Sequence, residues 1–320
     1  MATVPFIFPS FILLLLLTLA SLTTQSKPNV NPFGFLKSLE GCRKGQNVDG
    51  LHHLKRYLAK FGYLDNHPVS ENKVTTTMTL NKDAQLFDES LEEAIRTYQK
   101  NYKLNVTGHL DAATVEQMTK PRCGSPDIIN GRNTMQKDKT TSSYKSRKSL
   151  YGTSLYAYKG QMWPSSEYQL TYQIQSGTLV KGAENMRSVV ADALNKWAQY
   201  SPFTFQEVVE GSQSNLIFGF AEGEHGDGQP FDGPGGVLGH SFYPTDGRSH
   251  YDATENWSDD PGLYEMDLNS VVLHEIGHLL GLGHSQDQNA VMFPTIGQGM
   301  RKRELQQDDV EGIQALYETT

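Results

Sequence analysis

The chain has 320 residues, a formal net charge of −8 at pH 7 and two cysteines. This length is sufficient for two domains of ordinary size. The acidic balance argues against the basic surface with which proteins bind nucleic acid, so we expect no nucleic-acid partner.

The N-terminal segment contains a short apolar run, from Phe11 to Ala20, followed by small and polar residues. The run is too short to span a bilayer and is typical of a secretory signal peptide, which we assign to residues 1–26. No second apolar run follows, so we expect a protein secreted to the extracellular space or matrix, with no transmembrane segment. Exported chains can carry N-glycans, and two sequons begin at Asn105 and Asn256.

Apolar residues recur at helical spacing in three stretches between about residues 47 and 120. The first stripe begins at Leu51 and the second at Leu91, while the third follows Asp111, a residue type that caps helix N-termini. Three such helices can bury one small core between them. Taken alone, this helical domain could also be a glycan-binding module.

A proline-flanked cysteine, Cys123, lies in the segment 121–127 directly after these helices. A thiolate is a strong zinc ligand, so Cys123 could fill an open position of a metal site elsewhere in the chain. The alternative is a disulfide between Cys123 and Cys42, which is the default for two cysteines in a secreted protein.

Residues 128–155 form a polar stretch rich in Lys, Ser and Thr, which predicts an exposed linker. Its basic run Lys145–Lys148 is a candidate cleavage site for an activating protease. The same run could equally be a solvated part of the linker.

The region 156–320 mixes the periods of strands and helices. Alternation predicts a strand over Tyr168–Ile174, and further strands are expected over Phe203–Val208 and Asn215–Ala221. An apolar stripe predicts a helix over Met186–Trp197. Two later helices are expected, one from about Asn269 and one over Asp308–Tyr317. This order predicts an α+β fold with a twisted sheet.

A long segment between these elements is dense in Gly, Asp and His, and long loops without structure of their own are uncommon in compact domains. Bound metals would supply order. Three imidazoles and one carboxylate make a closed ligand set for a structural Zn²⁺: His225, Asp227, His240 and His250. Three carboxylates offer the hard oxygen donors that Ca²⁺ prefers: Asp232, Asp252 and Glu255.

The strongest pattern is H-E-x-x-H-x-x-G-x-x-H, which begins at His274. On a helix His274 and His278 share one face, so both can bind one zinc ion. Glu275 is placed to take a proton from water held on that metal. Gly281 can end the helix with a positive φ and turn the chain so that His284 becomes the third ligand. Three protein ligands leave one position open, as in catalytic zinc sites.

With Met292 following in a Val-Met-Phe-Pro turn, this pattern resembles the metzincin metalloproteases, and the Cys123 segment narrows the resemblance to the matrixins. The resemblance implies a zincin-like catalytic domain with a mostly parallel five-stranded sheet and one antiparallel edge strand. It makes residues 27–122 a propeptide with a peptidoglycan-binding-like domain of three helices, and residues 121–127 a cysteine switch braced by Arg122 and Asp127. Short matrixins of plants share this layout without a hemopexin domain.

The resemblance also implies site residues that the pattern alone does not supply. Met292 would pack beneath the histidines, and the carbonyls of Gly233, Gly235 and Val237 would join the calcium site. Arg248 and Asn215 stand where carboxylate ligands occur in vertebrate relatives, so we expect one structural zinc and one calcium.

We therefore expect a secreted zinc endopeptidase, made as a latent zymogen, whose partners are protein or peptide substrates and an activating protease. Substrate would add as a strand along Gly235–Gly239, and Pro294–Ile296 would wall a pocket for a hydrophobic residue after the scissile bond. The alternative is a zinc-bound, non-catalytic matrix or glycan-binding protein, against which the intact Glu275 argues. A zinc hydrolase acting on a non-peptide substrate is a further alternative.

Overall fold

The computed structural model describes residues 31–64, 84–136, 162–175 and 179–317. The predicted signal peptide and the basic run Lys145–Lys148 lie outside the described residues, so both remain predictions.

The N-terminal part contains the three predicted helices, preceded by a 3-10 helix over Gly34–Leu39. They are α1 (Leu51–Lys60), α2 (Glu89–Asn101) and α3 (Ala112–Met118). The side chain of Asp88 caps α2 by accepting a hydrogen bond from the amide of Leu91, and Asp111 caps α3 in the same way. The predicted cap at Asp111 is therefore confirmed.

These helices share one hydrophobic core, which extends into the following domain through Phe231, Val237 and Phe293. Cys42 is buried in this core and its thiol is free, as is that of Cys123. The alternative of a disulfide between the two cysteines is therefore wrong, because Cys123 lies at another place in the fold.

The principal sheet has six strands in the order β1-β7-β8-β6-β4-β5. Their bounds are β1 Arg122–Cys123, β4 Gln169–Ile174, β5 Thr204–Glu207, β6 Leu216–Ala221, β7 Val237–Ser241 and β8 Arg248–Asp252. Strands β4 to β8 form the expected five-stranded sheet, in which only β7 is antiparallel to its neighbour. The sixth strand, β1, comes from the N-terminal part and pairs parallel with β7.

Helices α4 (Met186–Ala198) and α5 (Leu268–Leu279) pack against each other and bury a second core against the sheet. Trp197 of α4 is fully buried and donates its indole N–H to the carbonyl of Leu273 in α5. Helix α6 (Gln307–Tyr317) closes this core from the C-terminal side. The predicted helices are thus confirmed, with α5 beginning at Leu268 because Asp267 is its N-cap.

Two short strand pairings complete the described part of the chain. Strands β2 (Ile128–Ile129) and β3 (Arg132–Asn133) form a small antiparallel ladder. Strands β9 (Trp257–Ser258) and β10 (Met266–Asp267) pair in parallel just before α5.

Candidate metal centre and cleft

The local sequence of α5 explains how the three histidines meet. Gly277 is required because a Cβ there would lie 2.3 Å from the sulfur of Met292. Gly281 has φ +97°, and after it the chain folds back, with the amide of Leu282 donating to the carbonyl of Gly277. The turn brings His284 beside the helix face, so the predicted role of Gly281 is confirmed.

The three imidazoles converge on one point in the interior. Nε2 of His278 lies 3.2 Å from Nε2 of His284, and both rings are fully buried. Nε2 of His274 is buried and has no hydrogen-bond partner among the described residues. Ligand atoms of a tetrahedral zinc site lie about 3.3 Å apart for bonds of about 2.0 Å, so this spacing fits one zinc ion.

Each ring is oriented by a hydrogen bond from Nδ1. His274 donates to the carbonyl of Val291, and His278 donates to that of Leu282, both at 2.7 Å. Since a carbonyl can only accept, Nδ1 carries the proton in both rings and Nε2 presents a lone pair. Burial holds the pKa of both histidines well below the usual range, so they stay neutral. Lone pairs facing one another repel unless a cation lies between them.

Cys123 supplies a fourth ligand atom at the same point. Its sulfur lies 3.4 Å from Nε2 of His278, and the four ligand atoms of Cys123 and the three histidines all lie within 4.8 Å of one another. Burial and the neighbouring Glu275 carboxylate raise the pKa of the Cys123 thiol well above its usual value. A divalent cation would be needed to hold it as a thiolate here.

Arg122 and Asp127 form the predicted brace of the Cys123 segment. Their side chains are fully buried and pair at 2.9 Å. The guanidinium also lies 3.4 Å from the ring centroid of Phe61 in the helical domain. Asp127 accepts hydrogen bonds from the hydroxyls of Tyr63 and Tyr102, at 2.7 and 3.2 Å. The helical domain therefore holds the Cys123 segment through buried polar contacts.

Asp127 makes one further contact, which the sequence did not predict. Its Oδ1 accepts a hydrogen bond of 2.7 Å from Nδ1 of His284. Burial alone would raise the pKa of Asp127, but the charge of Arg122 and the bond from His284 lower it below the usual range. The carboxylate is thus ionised beside the third histidine.

Glu275 lies next to the histidines with both carboxylate oxygens buried and without a hydrogen-bond partner among the described residues. Burial raises its pKa to about 7. An unpaired buried carboxylate is costly, which is why such groups occur mainly at functional sites.

The second cluster is centred on Asp227. One carboxylate oxygen lies 2.8 Å from a ring nitrogen of each of His225, His240 and His250. Nδ1 of His225 donates to the carbonyl of Gly223, so in the neutral ring Nε2 faces Asp227 with a lone pair. Burial lowers the pKa of His240 to about 4, which favours neutral imidazole as well. This arrangement fits a closed, four-ligand zinc site.

The three acidic residues of the predicted calcium site also lie near one another. Burial, together with repulsion by Asp252 and Asp232, raises the pKa of Glu255 to about 8. Oδ2 of Asp252 is buried and lacks a partner among the described residues. Glu255 and Asp232 accept from the amides of Gly235 and Val237, so the loop is wrapped around the acids. Oxygen donors held this close fit a hard cation.

Two residues at which vertebrate relatives carry carboxylate ligands have other partners here. Arg248 pairs with Asp246 at 2.7 Å, and Asn215 accepts from the amide of Thr171 at 2.9 Å. The sequon residues Asn105 and Asn256 are both exposed.

A pocket opens beside Glu275 and Cys123 and runs along α5. Its lining residues are Cys123, Leu238, Ser270, Val271, His274, Glu275, Val291, Phe293, Pro294, Thr295, Ile296 and Lys302. Ser270 precedes His274 by one helical turn, so it lies at the end of the pocket away from Glu275. Lys302 lies at the same end, because its backbone amide donates to the Ser270 hydroxyl. The predicted wall Pro294–Ile296 is present, while Lys302 was not predicted because no motif includes it.

Met292 is buried at 2 % exposure beneath the histidine helix. Its amide and that of Val291 donate to the two carboxylate oxygens of Asp309 in α6. The turn is thereby fixed, and the carbonyl of Val291 is aimed at His274. The buried position of Met292 agrees with its predicted role as a packing residue beneath the histidines.

Among the described residues, no helix is both long and apolar enough to cross a membrane. A mixed sheet, a helix with two histidines and a glutamate, and a third histidine after a glycine turn together define the class of zinc-dependent metallopeptidases.

Comparison with known proteins identifies the family within this class. The model of the matrixin family matches residues 162–318, and that of a peptidoglycan binding domain matches residues 47–118. The chain is 41 % identical over 288 residues to "Metalloendoproteinase 2-MMP" of Arabidopsis thaliana, covering 87 % of this chain and 73 % of that one. It is 42 % identical over 282 residues to "Metalloendoproteinase 1" of Glycine max, covering 85 % and 83 %.

A human relative, "Matrilysin", is 38 % identical over 232 residues, covering 71 % of this chain and 77 % of that one. The chain therefore belongs to the matrixin family and is a zinc metalloendopeptidase with a helical prodomain. Matrixins use catalytic and structural zinc and also calcium, and the two histidine clusters described above are suited to metal.

Proposed function

We propose that this chain is a secreted endopeptidase that is synthesised latent, with its own Cys123 blocking the catalytic metal. The observation that carries this proposal is the position of the Cys123 sulfur, 3.4 Å from Nε2 of His278 and directly beside Glu275. A ligand at that place fills the position that a catalytic zinc site keeps open for water or substrate.

The metals are assigned to the clusters as follows. His274, His278 and His284 hold the catalytic zinc, with Cys123 as the fourth ligand in the latent form. The Asp227 cluster holds the structural zinc. The calcium ligands are the carboxylates of Asp232, Asp252 and Glu255 and the carbonyls of Gly233, Gly235 and Val237.

Bound zinc supplies Lewis-acid polarisation of the scissile carbonyl and lowers the pKa of a coordinated water from 15.7 toward about 7. Glu275 performs the proton transfers: it accepts the proton of the attacking water and passes it to the leaving amine. When the Cys123 segment leaves, the site opens to water, and the pKa of Glu275 falls from its buried value toward that of an ordinary carboxylate.

Substrate binding follows from the place that the propeptide now occupies. Strand β1 pairs with the edge strand β7, and the amide of Cys123 donates to the carbonyl of Pro294 on the opposite wall. Departure of β1 leaves an edge and a wall that an extended peptide can bind through its backbone. The largely apolar walls of the pocket favour a hydrophobic residue after the scissile bond.

Activation requires a cut after the Cys123 segment, for which the basic run Lys145–Lys148 is the candidate. Cleavage there separates Cys123, Arg122 and Asp127 from the catalytic domain. The apolar run at Phe11–Ala20 supports export, and the exposed Asn105 and Asn256 would then be available for glycosylation.

Replacement of the thiol tests latency directly. We expect Cys123→Ser to give a full-length chain that cleaves a quenched fluorescent peptide without processing, because a hydroxyl is a much weaker zinc ligand than a thiolate. Cys42→Ser is the matched control, since its thiol is buried far from the metal centre, and should stay latent.

The double variant Cys123→Ser/Glu275→Ala should show no cleavage above that of buffer, which ties the activity to Glu275. A Cys123→Ser chain that is folded and zinc-loaded yet silent until processed would contradict the proposed role of the thiol. Removal of zinc with a chelator should abolish the activity of the processed enzyme.

A further inference from the structure

The three metal-facing histidines differ in what orients them. The Nδ1 partners of His274 and His278 are carbonyls of the catalytic domain, 17 and 4 residues away along the chain. The Nδ1 partner of His284 is the carboxylate of Asp127, 157 residues away and on the propeptide side of the linker. One of the three rings is therefore held by a group that activation removes.

The contact between Asp127 and His284 is built rather than incidental. Both side chains are fully buried, and their atoms lie 2.7 Å apart. The same Oδ1 accepts from the Arg122 guanidinium at 2.9 Å, while Oδ2 accepts from Tyr63 and Tyr102. A carboxylate with this many donors has a single orientation, so its oxygen stays aimed at the ring.

A second propeptide group holds the same residue. The hydroxyl of Thr134 accepts a hydrogen bond from the backbone amide of His284 at 3.3 Å and donates to the carbonyl of Asp127 at 2.9 Å. The backbone and the ring of His284 are thus both bound by the segment 127–134. The prediction of an exposed linker from residue 128 is wrong for its first residues, because Thr134 and Met135 are buried against the two domains.

Building on the function proposed above, we propose that Asp127 is a positioning residue of the catalytic metal centre in the latent form, and that its carboxylate fixes the ring of His284 through the Nδ1–H. The propeptide then contributes to the metal site twice: Cys123 acts as a direct ligand, and Asp127 orients and strengthens a ligand that belongs to the catalytic domain. An anionic partner on Nδ1 makes the opposite nitrogen a better donor to a metal.

The expected consequence is that the latent form holds its catalytic zinc more tightly than the thiol alone explains. Loss of an outer partner of a zinc-bound histidine typically weakens metal binding by about 10-fold to 100-fold. Activation would release the thiolate and this support in the same cut, so the metal becomes both open and more easily lost.

The test uses full-length chains in a Glu275→Ala background, which prevents self-cleavage. Zinc release to a coloured chelator is compared between the parent, Asp127→Asn and Arg122→Gln. Each chain holds two zinc ions, and we expect the structural zinc to be released more slowly. The release rate of the catalytic zinc should be about tenfold or more higher from the Asp127→Asn variant than from the Arg122→Gln variant. Arg122→Gln is the matched control because it breaks the same ion pair but keeps the carboxylate on His284.

A spectroscopic readout separates positioning from general support of the loop. In the zinc-loaded parent, the Nδ1–H of His284 should give a strongly downfield proton resonance that shifts in Asp127→Asn and stays in Arg122→Gln. Equal zinc release from the two variants, with the His284 resonance unmoved in Asp127→Asn, would overturn the inference.

Two further measurements keep the inference testable on its own. If Asp127→Asn does not fold, the His284 resonance of the parent is compared before and after processing: it should move while those of His274 and His278 remain, and its persistence would overturn the inference. Cobalt-substituted parent should show a thiolate-to-metal absorption band. Absence of that band would contradict the switch role of Cys123. The contact of Asp127 with His284 is tested separately, by the Nδ1–H resonance of His284.

Discussion

Glu275 and Cys123 occupy one buried space, and the Glu275 carboxylate makes the Cys123 thiolate less stable. Burial raises the pKa of both groups, and the charge of Glu275 adds to the shift at Cys123. A divalent cation held by the three imidazoles would reverse this balance for the thiol, which a metal deprotonates outright. The latency proposed for this chain depends on the metal as much as on the cysteine, because without the cation only the Ser125 amide stabilises a thiolate that burial and the Glu275 charge oppose.

Lys302 is the one lysine or arginine among the residues that line the pocket. Its ammonium donates to the carbonyls of Gln288 and Ala290, at 2.6 and 3.0 Å, and lies 4.9 Å from the ring centroid of Phe293. Burial lowers its pKa to about 8. An ammonium group at the end of the pocket away from Glu275 can favour substrate side chains that end in a hydrogen-bond acceptor.

We predict that Lys302→Met changes selectivity more than overall activity. The ratio of kcat/KM for peptides with Gln after the scissile bond to that for peptides with Leu should fall about tenfold, since one lost hydrogen bond at a substrate tip is worth on the order of 1 to 2 kcal/mol. The measurement is a paired peptide assay of the processed enzymes. An unchanged ratio would show that Lys302 only supports the wall.

At the scale of elements, the periodicity of apolar residues predicted the helices and three strands of the catalytic sheet, β4, β5 and β6. It missed β7 and β8, which lie in the segment rich in Gly, Asp and His, where no apolar alternation marks them. Polar capping residues set where the helices begin. Helix α5 begins at Leu268 because the side chain of Asp267 accepts a hydrogen bond from the amide of Ser270. Strand β1 could not be predicted, since two residues carry no period. It forms only because the helical domain places Arg122 at the edge of β7.

The segment from residue 223 to residue 255 contains strands β7 and β8 of the sheet and carries the Asp227 cluster and the three acids of the predicted calcium site. Burial is the larger cause that raises the pKa of Glu255 to about 8, and repulsion by the carboxylates of Asp252 and Asp232 adds to it. The folded state then binds protons more tightly than the unfolded chain, whose glutamates titrate near about 4.3. The stabilisation from protonated Glu255 is present below that value and is lost as the pH rises toward 8.

Calcium should remove this pH dependence. We predict that the unfolding midpoint of zinc-saturated, calcium-free protein falls between pH 5 and pH 8, because Glu255 becomes charged while buried beside Asp232 and Asp252. Added calcium should keep the midpoint level, since it binds only the folded loop. Thermal unfolding followed by circular dichroism across this pH range provides the measurement.

Glu255→Gln is the matched control for this prediction. The amide cannot ionise, so the calcium-free variant should lose less stability with rising pH and should gain less from added calcium. Equal slopes for the parent and the variant would exclude Glu255 from the calcium site.

At the scale of the whole molecule, two cores are joined by a short segment that enters the cleft. The helical core includes Phe293 and Val237 of the catalytic part, so the propeptide is packed onto the cleft walls as well as tied to the metal centre. The sequence patterns identified the residues of both clusters that are suited to metal. For the cluster at His274, i and i+4 spacing and a glycine turn dictate the local geometry. The patterns could not identify the contact of Asp127 with His284 or the place of Lys302, because both depend on how distant segments meet.

The central claim is that one zinc ion exchanges a sulfur ligand when the propeptide leaves. X-ray absorption at the zinc edge, on the full-length and the processed protein, tests it most directly. With two zinc ions bound, the full-length chain should show a sulfur shell at about 2.3 Å that amounts to one sulfur for every two zinc ions. The processed enzyme should show only nitrogen and oxygen ligands. A full-length chain without a sulfur shell, or a processed enzyme that keeps one, would contradict the account.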